Sequence, residues 1–370
     1  MIPVPPAYLD AANRTHEPQW RVSILDRAGV VQVANLPVVA GGITRDNSGS
    51  PRTSVNCDVA TQQTPQPIDQ RYLPTGGRLR VEYRIAELAD WVVLADVDMV
   101  ASAIARPESM WTLAGVGPDA RIDLDDLARG ARPALTGTVG AAVTALIRRT
   151  FPNAPVTVTG AAATQPVPTD YELPGDGSPW RAVEFLATSA GAEVYASGHT
   201  REFIVRDIPG ITTPVDRLGT GAGGVVTGYT LNHEMGYNSV ALRYEVKDAE
   251  DTEIRTGRWT DTRSTSPVAV QRIGSEVVYA ETVRASAAPT QVEADAAAAR
   301  MGSRVGGRAR RGQVRHPTRP WLEPGDTVTV RWLGGPEESH VVEAVQIPLS
   351  QENVQVTTLA THQYAMGVPV

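Results

Sequence analysis

The sequence predicts a mainly β protein with α+β parts, arranged as two β-barrel domains and a smaller α/β domain. Three observations carry this expectation. Apolar and polar residues alternate with period two in segments toward both ends of the chain, as strands with one wet face require. The 370 residues include 33 glycines and 28 prolines, which favours many short strands and turns over long helices. Helical periodicity is confined to three short stretches.

Taken in chain order, Trp20-Arg21-Val22-Ser23-Ile24 reads as the first alternating strand. In Arg78-Leu79-Arg80-Val81-Glu82-Tyr83-Arg84-Ile85 the apolar set Leu79, Val81, Tyr83 and Ile85 lies on one face and four charges lie on the other. Thr138 can cap a helix running to about Thr150, with Val139, Val143, Leu146 and Ile147 on one side and Arg148 and Arg149 at the negative end of its dipole. Residues 159–169, rich in Pro, Thr and Ala, read as a linker. Ser178-Pro179 opens a second helix that buries Trp180, Val183, Leu186, Ala187 and Ala190 and stops at Gly191. Val194–Ala196 and Glu202–Arg206 flank Ser197-Gly198-His199-Thr200, which predicts a hairpin. The run Gly219–Gly224 is a second linker. Alternation returns at Val240, Leu242, Tyr244 and Val246. Thr290, with Glu293 three residues on, forms a capping box for a third helix that Gly306-Gly307 breaks. Pro324 and Gly325 take the central positions of a tight turn within Leu322–Asp326, and Val328, Val330 and Trp332 close the pattern. The cuts define an N-terminal β-barrel-like domain over 1–135, an α/β domain over 136–218, and a C-terminal β-barrel-like domain over 219–370 carrying a helix near 290–304.

Composition narrows the function. With 42% hydrophobic and 20% charged residues the chain has ample material for a core. Lys247 is the only lysine, so all but one of the 34 basic residues are arginine, a skew that fits a GC-rich coding bias. A formal charge of −7 argues against a general nucleic-acid or anionic-membrane binder, because such binding draws on phosphate neutralisation. Cys57 is the only cysteine and excludes an intrachain disulfide and a Cys-based zinc site. No basic start with an apolar run is seen, and no 18-residue apolar stretch. These features set the expectation of no membrane anchor and a chain made in a cytoplasm-like compartment.

The search for chemistry yields no catalytic, cofactor-binding or metal-ligating residue. Gly219-Thr220-Gly221-Ala222-Gly223-Gly224 has dinucleotide-loop spacing, but a strand pattern follows where a helix is needed to face the phosphate. His16, His199, His233, His316, His340 and His362 are scattered without the i, i+4 pairing of a helical zinc site, and Tyr237 stands where His233-Glu234 would need a second histidine. The acidic groups Asp123, Asp125, Asp126 and Asp248, Glu250, Asp251, Glu253 lack calcium-loop spacing and read as exposed turn charges. One charge feature is uneven. Residues 300–319 hold seven arginines (Arg300, Arg304, Arg308, Arg310, Arg311, Arg315, Arg319) and no carboxylate, which leaves −14 on the rest of the chain. This segment reads as a face neutralised by acids of its own chain or of a neighbour, and it is expected to face another chain or the outer surface and not the central channel.

The order of several strings resembles the tail hub proteins of tailed bacteriophages, also called minor tail or baseplate hub proteins. The strings are the strand Trp20–Asp26, Gly41-Gly42-Ile43-Thr44-Arg45-Asp46, Thr53–Val59, Leu73-Pro74-Thr75-Gly76-Gly77 with Arg78–Ile85, and Ser178–Ala187 leading to Gly191–Tyr195 and Phe203–Arg206. Tyr237–Val240, the Ala-rich helix, Pro320–Asp326 and the closing strands to Thr361 complete them. The resemblance implies two tail-tube-like β-barrel domains and a structural, non-enzymatic part: a homotrimeric hub of the tail tip that adapts a sixfold tube to a threefold tip and forms part of the DNA channel. It implies as partners the distal tail or tail tube protein, the tape-measure protein and tip spike or fibre proteins, with DNA passing transiently and without specific binding. It places the protein in the virion tail tip, assembled in the bacterial host cytoplasm. The alternative is a carbohydrate-binding or glycan- or peptidoglycan-cleaving tail-tip protein, in which exposed rings among Trp20, Trp91, Trp111, Trp180, Trp259, Trp321 and Trp332 would stack on sugars.

Overall fold

The computed structural model describes residues 1–12, 16–47, 49–60, 73–74, 76–105, 110–128, 133, 135–167, 173, 177–208, 212–219, 226–233, 236–247, 252–263, 266, 269–285, 290–306, 310–331, 337–350 and 354–360. After a short helix α1 (Pro6–Ala11) come β1 (Pro18–Leu25), β2 (Val31–Val33), β3 (Val38–Asp46), β4 (Thr53–Ala60), β5 (Arg78–Ile85), β6 (Val92–Ala105) and β7 (Met110–Val116). A helical segment follows with α2 (Asp119–Asp123), α3 (Val139–Thr150), β8 (Val156–Val158), α4 (Pro179–Ser189), β9 (Ala192–Ala196) and β10 (Phe203–Asp207). The rest comprises β11 (Asp216–Gly219), β12 (Gly228–His233), β13 (Ser239–Lys247), β14 (Thr252–Thr260), α5 (Val270–Ile273), β15 (Val278–Ala285), α6 (Gln291–Gly306), β16 (Arg310–Pro317), β17 (Thr327–Arg331), β18 (Glu337–Pro348) and β19 (Val354–Ala360).

Local expectations match the elements closely. β5 alternates as read, with Leu79, Val81, Tyr83 and Ile85 each fully buried. Thr138 accepts the Ala141 N–H and caps α3. Ser178 accepts the Trp180 N–H and caps α4, which carries Pro179 at its first position. The Glu323–Asp326 turn closes with the Asp326 N–H on the Glu323 carbonyl, and Gly325 supplies the positive φ of 93° that its third position needs.

The two separate barrels are not found. Strands from both ends of the chain merge into one 13-stranded sheet in the order β12-β16-β19-β18-β3-β4-β7-β6-β5-β1-β2, with β17 on β18 and β11 on β17. No sheet closes into a barrel among the described residues. The merger is made by β18 and β3, antiparallel from Ala344↔Asp46 to Pro348↔Gly42. Alternation reports which face of a strand is buried but not which strand lies beside it, so this junction was hidden.

Below the sheet lies one core shared by both ends of the chain, in which Leu79, Tyr83, Leu94 and Leu113 pack with Trp321, Val342 and Leu359. Tyr8 of α1 sits against Tyr83 and Trp321, at ring distances of 6.2 and 6.4 Å. Each such side chain contributes roughly 1.5–3 kcal/mol by leaving water. A second core joins Ile122 and Leu127 to Leu146, Trp180, Leu186 and Phe203, under a three-stranded sheet β8-β10-β9. A third packs α6 on the sheet β14-β13-β15 through Val240, Leu242, Tyr244, Ala294 and Ala298. There Gly257 and Gly302 permit close approach, since an added Cβ would lie 2.1 Å from the Ala294 carbonyl or from the Trp259 ring.

Candidate assembly surfaces

Buried polar residues hold the sheet and its neighbours in register. Arg45, fully buried on β3, donates Nη1 to the carbonyls of Pro320 (2.7 Å) and Leu322 (2.8 Å) and Nη2 to that of Leu94 (2.9 Å). Burial pulls its pKa down while Glu323 and Asp326 support its charge. Arg319 pairs with Asp216, whose other oxygen accepts the Trp321 indole N–H at 3.3 Å. His316 is buried between the Pro317 carbonyl (2.7 Å from Nδ1) and the Thr357 hydroxyl (2.9 Å from Nε2), and burial lowers its pKa to about 4. None of these roles has a sequence signature, because each joins residues distant in the chain.

The arginine segment divides accordingly. Arg319 is a core ion pair, which corrects the expectation that it faces outward and matches its neutralisation by an acid of the same chain; the half-buried Asp216 lies within its reach and a planar fork suits that carboxylate. Arg311 lies 3.1 Å from Glu343, and Arg315 is exposed on the same face of β16. The side chains of Arg300, Arg304, Arg308 and Arg310 lie outside the described residues.

Several candidates from the motif search acquire structural roles. The acidic knot is not a set of free turn charges: Asp123 accepts the Ser178 hydroxyl, Asp125 the Thr150 hydroxyl, and Asp126 the N–H groups of Ala128 and Gly177. These bonds lash α2, α3 and the start of α4 together. Among the described residues no group of three or more His, Cys, Asp or Glu could hold a metal. Cys57 is buried, and burial pushes its thiol up to about 12. Residues 220–225, the second acidic group from 248 to 251, His362 and Trp332 lie outside the described residues. So do the side chains of His233 and Glu253.

One trio imitates a catalytic triad. Ser197 Oγ lies 2.9 Å from His199 Nδ1, and Glu323 Oε1 lies 3.6 Å from the same nitrogen. A nucleophile and an orienting acid must occupy opposite ring nitrogens to relay a proton, so this arrangement fixes a turn and does not activate Ser197. Burial pushes the Glu323 carboxyl up, but the His199 hydrogen bond, Arg45 and the Met1 ammonium outweigh it and bring the pKa down to about 2.

None of the six described tryptophans offers an open ring face on a free surface patch. Trp111, Trp180 and Trp321 are buried, and Trp20 and Trp259 are half-buried in the cores. Trp91 is flanked by the guanidinium groups of Arg21 (4.5 Å) and Arg84 (4.8 Å).

What the fold does offer outward is edges and a broad face. Among the described residues the sheet ends at β12 on one side, at β2 on the other and at β11 on the β17 branch, each with one edge that no other strand pairs. Val30 and Val31 are exposed at one end, and Tyr229 at the other. Such edges are templates for another strand. On the face away from the core, aligned by the β3–β4–β7–β6 registers, lie Thr44, Ser54, Asn56, Asp58, Thr112, Ala114, Ala101 and Ala103. Thr112 donates to Asp58 at 2.6 Å. No basic side chain occurs in this set.

No family model and no curated protein matches the sequence. Solved structures do match. A tail protein from Neisseria meningitidis aligns with a TM-score of 0.62 at 13% identity, covering 92% of this chain and 96% of that one. The 43 kDa tail protein of prophage MuSo2 from Shewanella oneidensis gives 0.59 at 13% identity, with 92% and 98% covered. The prophage tail protein gp18 from Listeria monocytogenes gives 0.60 at 9% identity, with 94% and 96% covered. The chain therefore has the β-rich fold of phage tail proteins over nearly its whole length.

Proposed function

We propose that the chain is a structural, non-enzymatic hub of a bacteriophage tail tip, a homotrimeric adaptor that joins the sixfold tail tube or distal tail ring to the threefold tip and forms part of the DNA channel. The observation that carries this reading is the 13-stranded sheet whose terminal strands β12 and β2 each leave one edge unpaired among the described residues, on a tail-protein fold. A head-to-tail contact between two different edges closes into a ring when its rotation closes, and strand addition across it needs no new fold. In this reading segments 1–135 and 219–370 supply most of the sheet, with β11 at the end of 136–218 added to it, and the rest of 136–218, together with α2, forms the smaller α/β layer.

The outward face of β3, β4, β7 and β6 supports a channel wall. Its small neutral and acidic side chains offer DNA no phosphate-neutralising contacts, which would otherwise make passage sticky and salt-dependent. The distal tail or tube protein, the tape-measure protein and spike or fibre proteins are the partners this placement requires. The virion tail tip, assembled in the host cytoplasm, is the location. The buried tryptophans give no support to a sugar-binding tip protein.

The test is the mass of the purified chain by light scattering together with electron micrographs. Three copies per particle with a central hole are expected. A chain that stays monomeric at every concentration and forms no ring with purified tail tube protein overturns the reading.

A further inference from the structure

One cleft is separate from the sheet edges. It lies where the β3–β4 turn meets α4 and β9, has a volume of about 240 Å³, and is lined among others by Asn47, Arg52, Asp119, Trp180, Glu184 and Tyr195. That is below the roughly 300–1,000 Å³ of ordinary small-molecule sites and suits one long side chain.

Its charges are unevenly compensated. Asp119 is 1% exposed; its Oδ2 accepts the Arg52 backbone N–H at 3.0 Å and the backbone N–H groups of Asp119 and Ala120 support the carboxylate, while its Oδ1 has no hydrogen-bond partner of its own. Glu184, at the rim, accepts the neutral indole N–H of Trp180 at 2.9 Å. Burial raises the pKa of both carboxyl groups. The Arg52 guanidinium is committed elsewhere. It stacks 3.7 Å from the Tyr195 ring centre, donates to the Pro324 carbonyl and stands 3.8 Å from Glu193, which Arg206 also holds at 2.9 Å. A buried acceptor without a donor costs free energy until a partner supplies one, and a carboxylate prefers the charge-assisted fork of a guanidinium.

We infer that this cleft is a socket for an arginine side chain presented by a second copy of the chain. Arginine provides nearly all the positive charge, and 300–319 holds seven of these residues with no acid, against −14 elsewhere. Arg315 of that stretch is exposed on β16. Arg52 (3.7 Å) and Arg206 (5.0 Å) already stack on Tyr195, so the entering stem runs along the rim beside Ala187 and Thr188 while Asp119 and Glu184 take the head.

The full-length chain is titrated with agmatine, an alkylguanidinium, in a calorimeter, with n-butanol as the uncharged control. Saturable binding at one site per chain is expected, weakened about tenfold in Asp119→Asn, which corresponds to one lost charge-assisted bond. Glu184→Gln at the exposed rim keeps an oxygen that can accept the Trp180 indole N–H and is expected to weaken binding about threefold, so the test survives if Asp119→Asn fails to fold. Agmatine and Arg315→Gln are each expected to weaken self-association measured by sedimentation. No saturable binding, or equal binding by both variants, overturns the socket. Binding that leaves self-association unchanged overturns the second copy as the source. The inference rests on the ring reading for that second copy, and the two fail separately: rings that form normally from Asp119→Asn sink the socket and leave the hub standing.

Discussion

Arg201 places Nη2 2.9 Å from Asp98 Oδ1 and Nη1 3.8 Å from Asp96 Oδ1, so the β9–β10 turn is pinned to β6 by charge. The same turn accepts the Asp96 N–H on the Gly198 carbonyl at 2.6 Å. Arg201 holds a positive φ of 62° to make the reach. Asp96, 3% exposed, also takes Arg78 and Arg80 from β5. Two neighbouring carboxylates, Asp96 and Asp98, thus couple the large sheet to the α/β layer.

Replacing Asp96 with Asn leaves three guanidinium groups around a neutral amide. Breaking a buried ion pair from one side costs about 3–5 kcal/mol, and urea denaturation of Asp96→Asn is expected to show a loss in that range. A loss under about 1 kcal/mol, typical of surface pairs, would mean that the network is solvated.

Between pH 6.5 and 4 two buried groups pull stability in opposite directions, with the raised Glu184 and Asp326 adding to the gain on acidification and Glu323 opposing it only near pH 4. The folded pKa of His316 is depressed to about 4 from 6.5, so the unfolded chain binds its proton first. Its contribution is full above pH 6.5 and is lost as pH falls through 4, about 3 kcal/mol in all. Asp119 is raised to about 6 from 3.8, so the folded chain binds its proton first and gains stability as pH falls over that window. In His316→Gln the urea midpoint is therefore expected to rise on acidification from pH 6.5 to 4. A midpoint that falls as in the wild-type chain would contradict the assignment.

Arg45→Lys keeps the charge but not the three-carbonyl fork. A carbonyl left without its donor costs about 1–3 kcal/mol, so a loss of about 2 kcal/mol or more is expected from thermal denaturation. Full stability would show that the Pro320, Leu322 and Leu94 carbonyls find other donors.

Gly257→Ala and Gly302→Ala push a methyl into the Ala294 backbone and the Trp259 ring. Overpacking of this kind costs about 1–3 kcal/mol. Amide exchange across α6 is expected to accelerate while the β5 amides stay protected. Unchanged α6 protection would show that the helix can shift without loss.

Where one local rule decides the outcome, the chain could be read directly. The β5 alternation, the Thr138 and Ser178 caps and the Pro324-Gly325 turn each depend on residues within a few positions of one another. The candidate site was hidden for the opposite reason. Asp119 and Arg52 are ordinary polar residues 67 positions apart, and three of the histidines became parts of the core and a turn: His316 and His199 through hydrogen bonds, and His340 buried with Nε2 3.4 Å from the Glu338 carboxylate.

By itself the sequence determined a β-rich chain with three short amphipathic helices, which face of each strand is buried, and the lack of a recognisable catalytic string, because side-chain period and capping chemistry are local. Only the tertiary structure decided that β18 joins β3 and makes one open sheet in place of two barrels. That choice rests on backbone edges, which carry no side-chain code, and on contacts such as Arg45 with the Pro320 carbonyl, 275 residues apart.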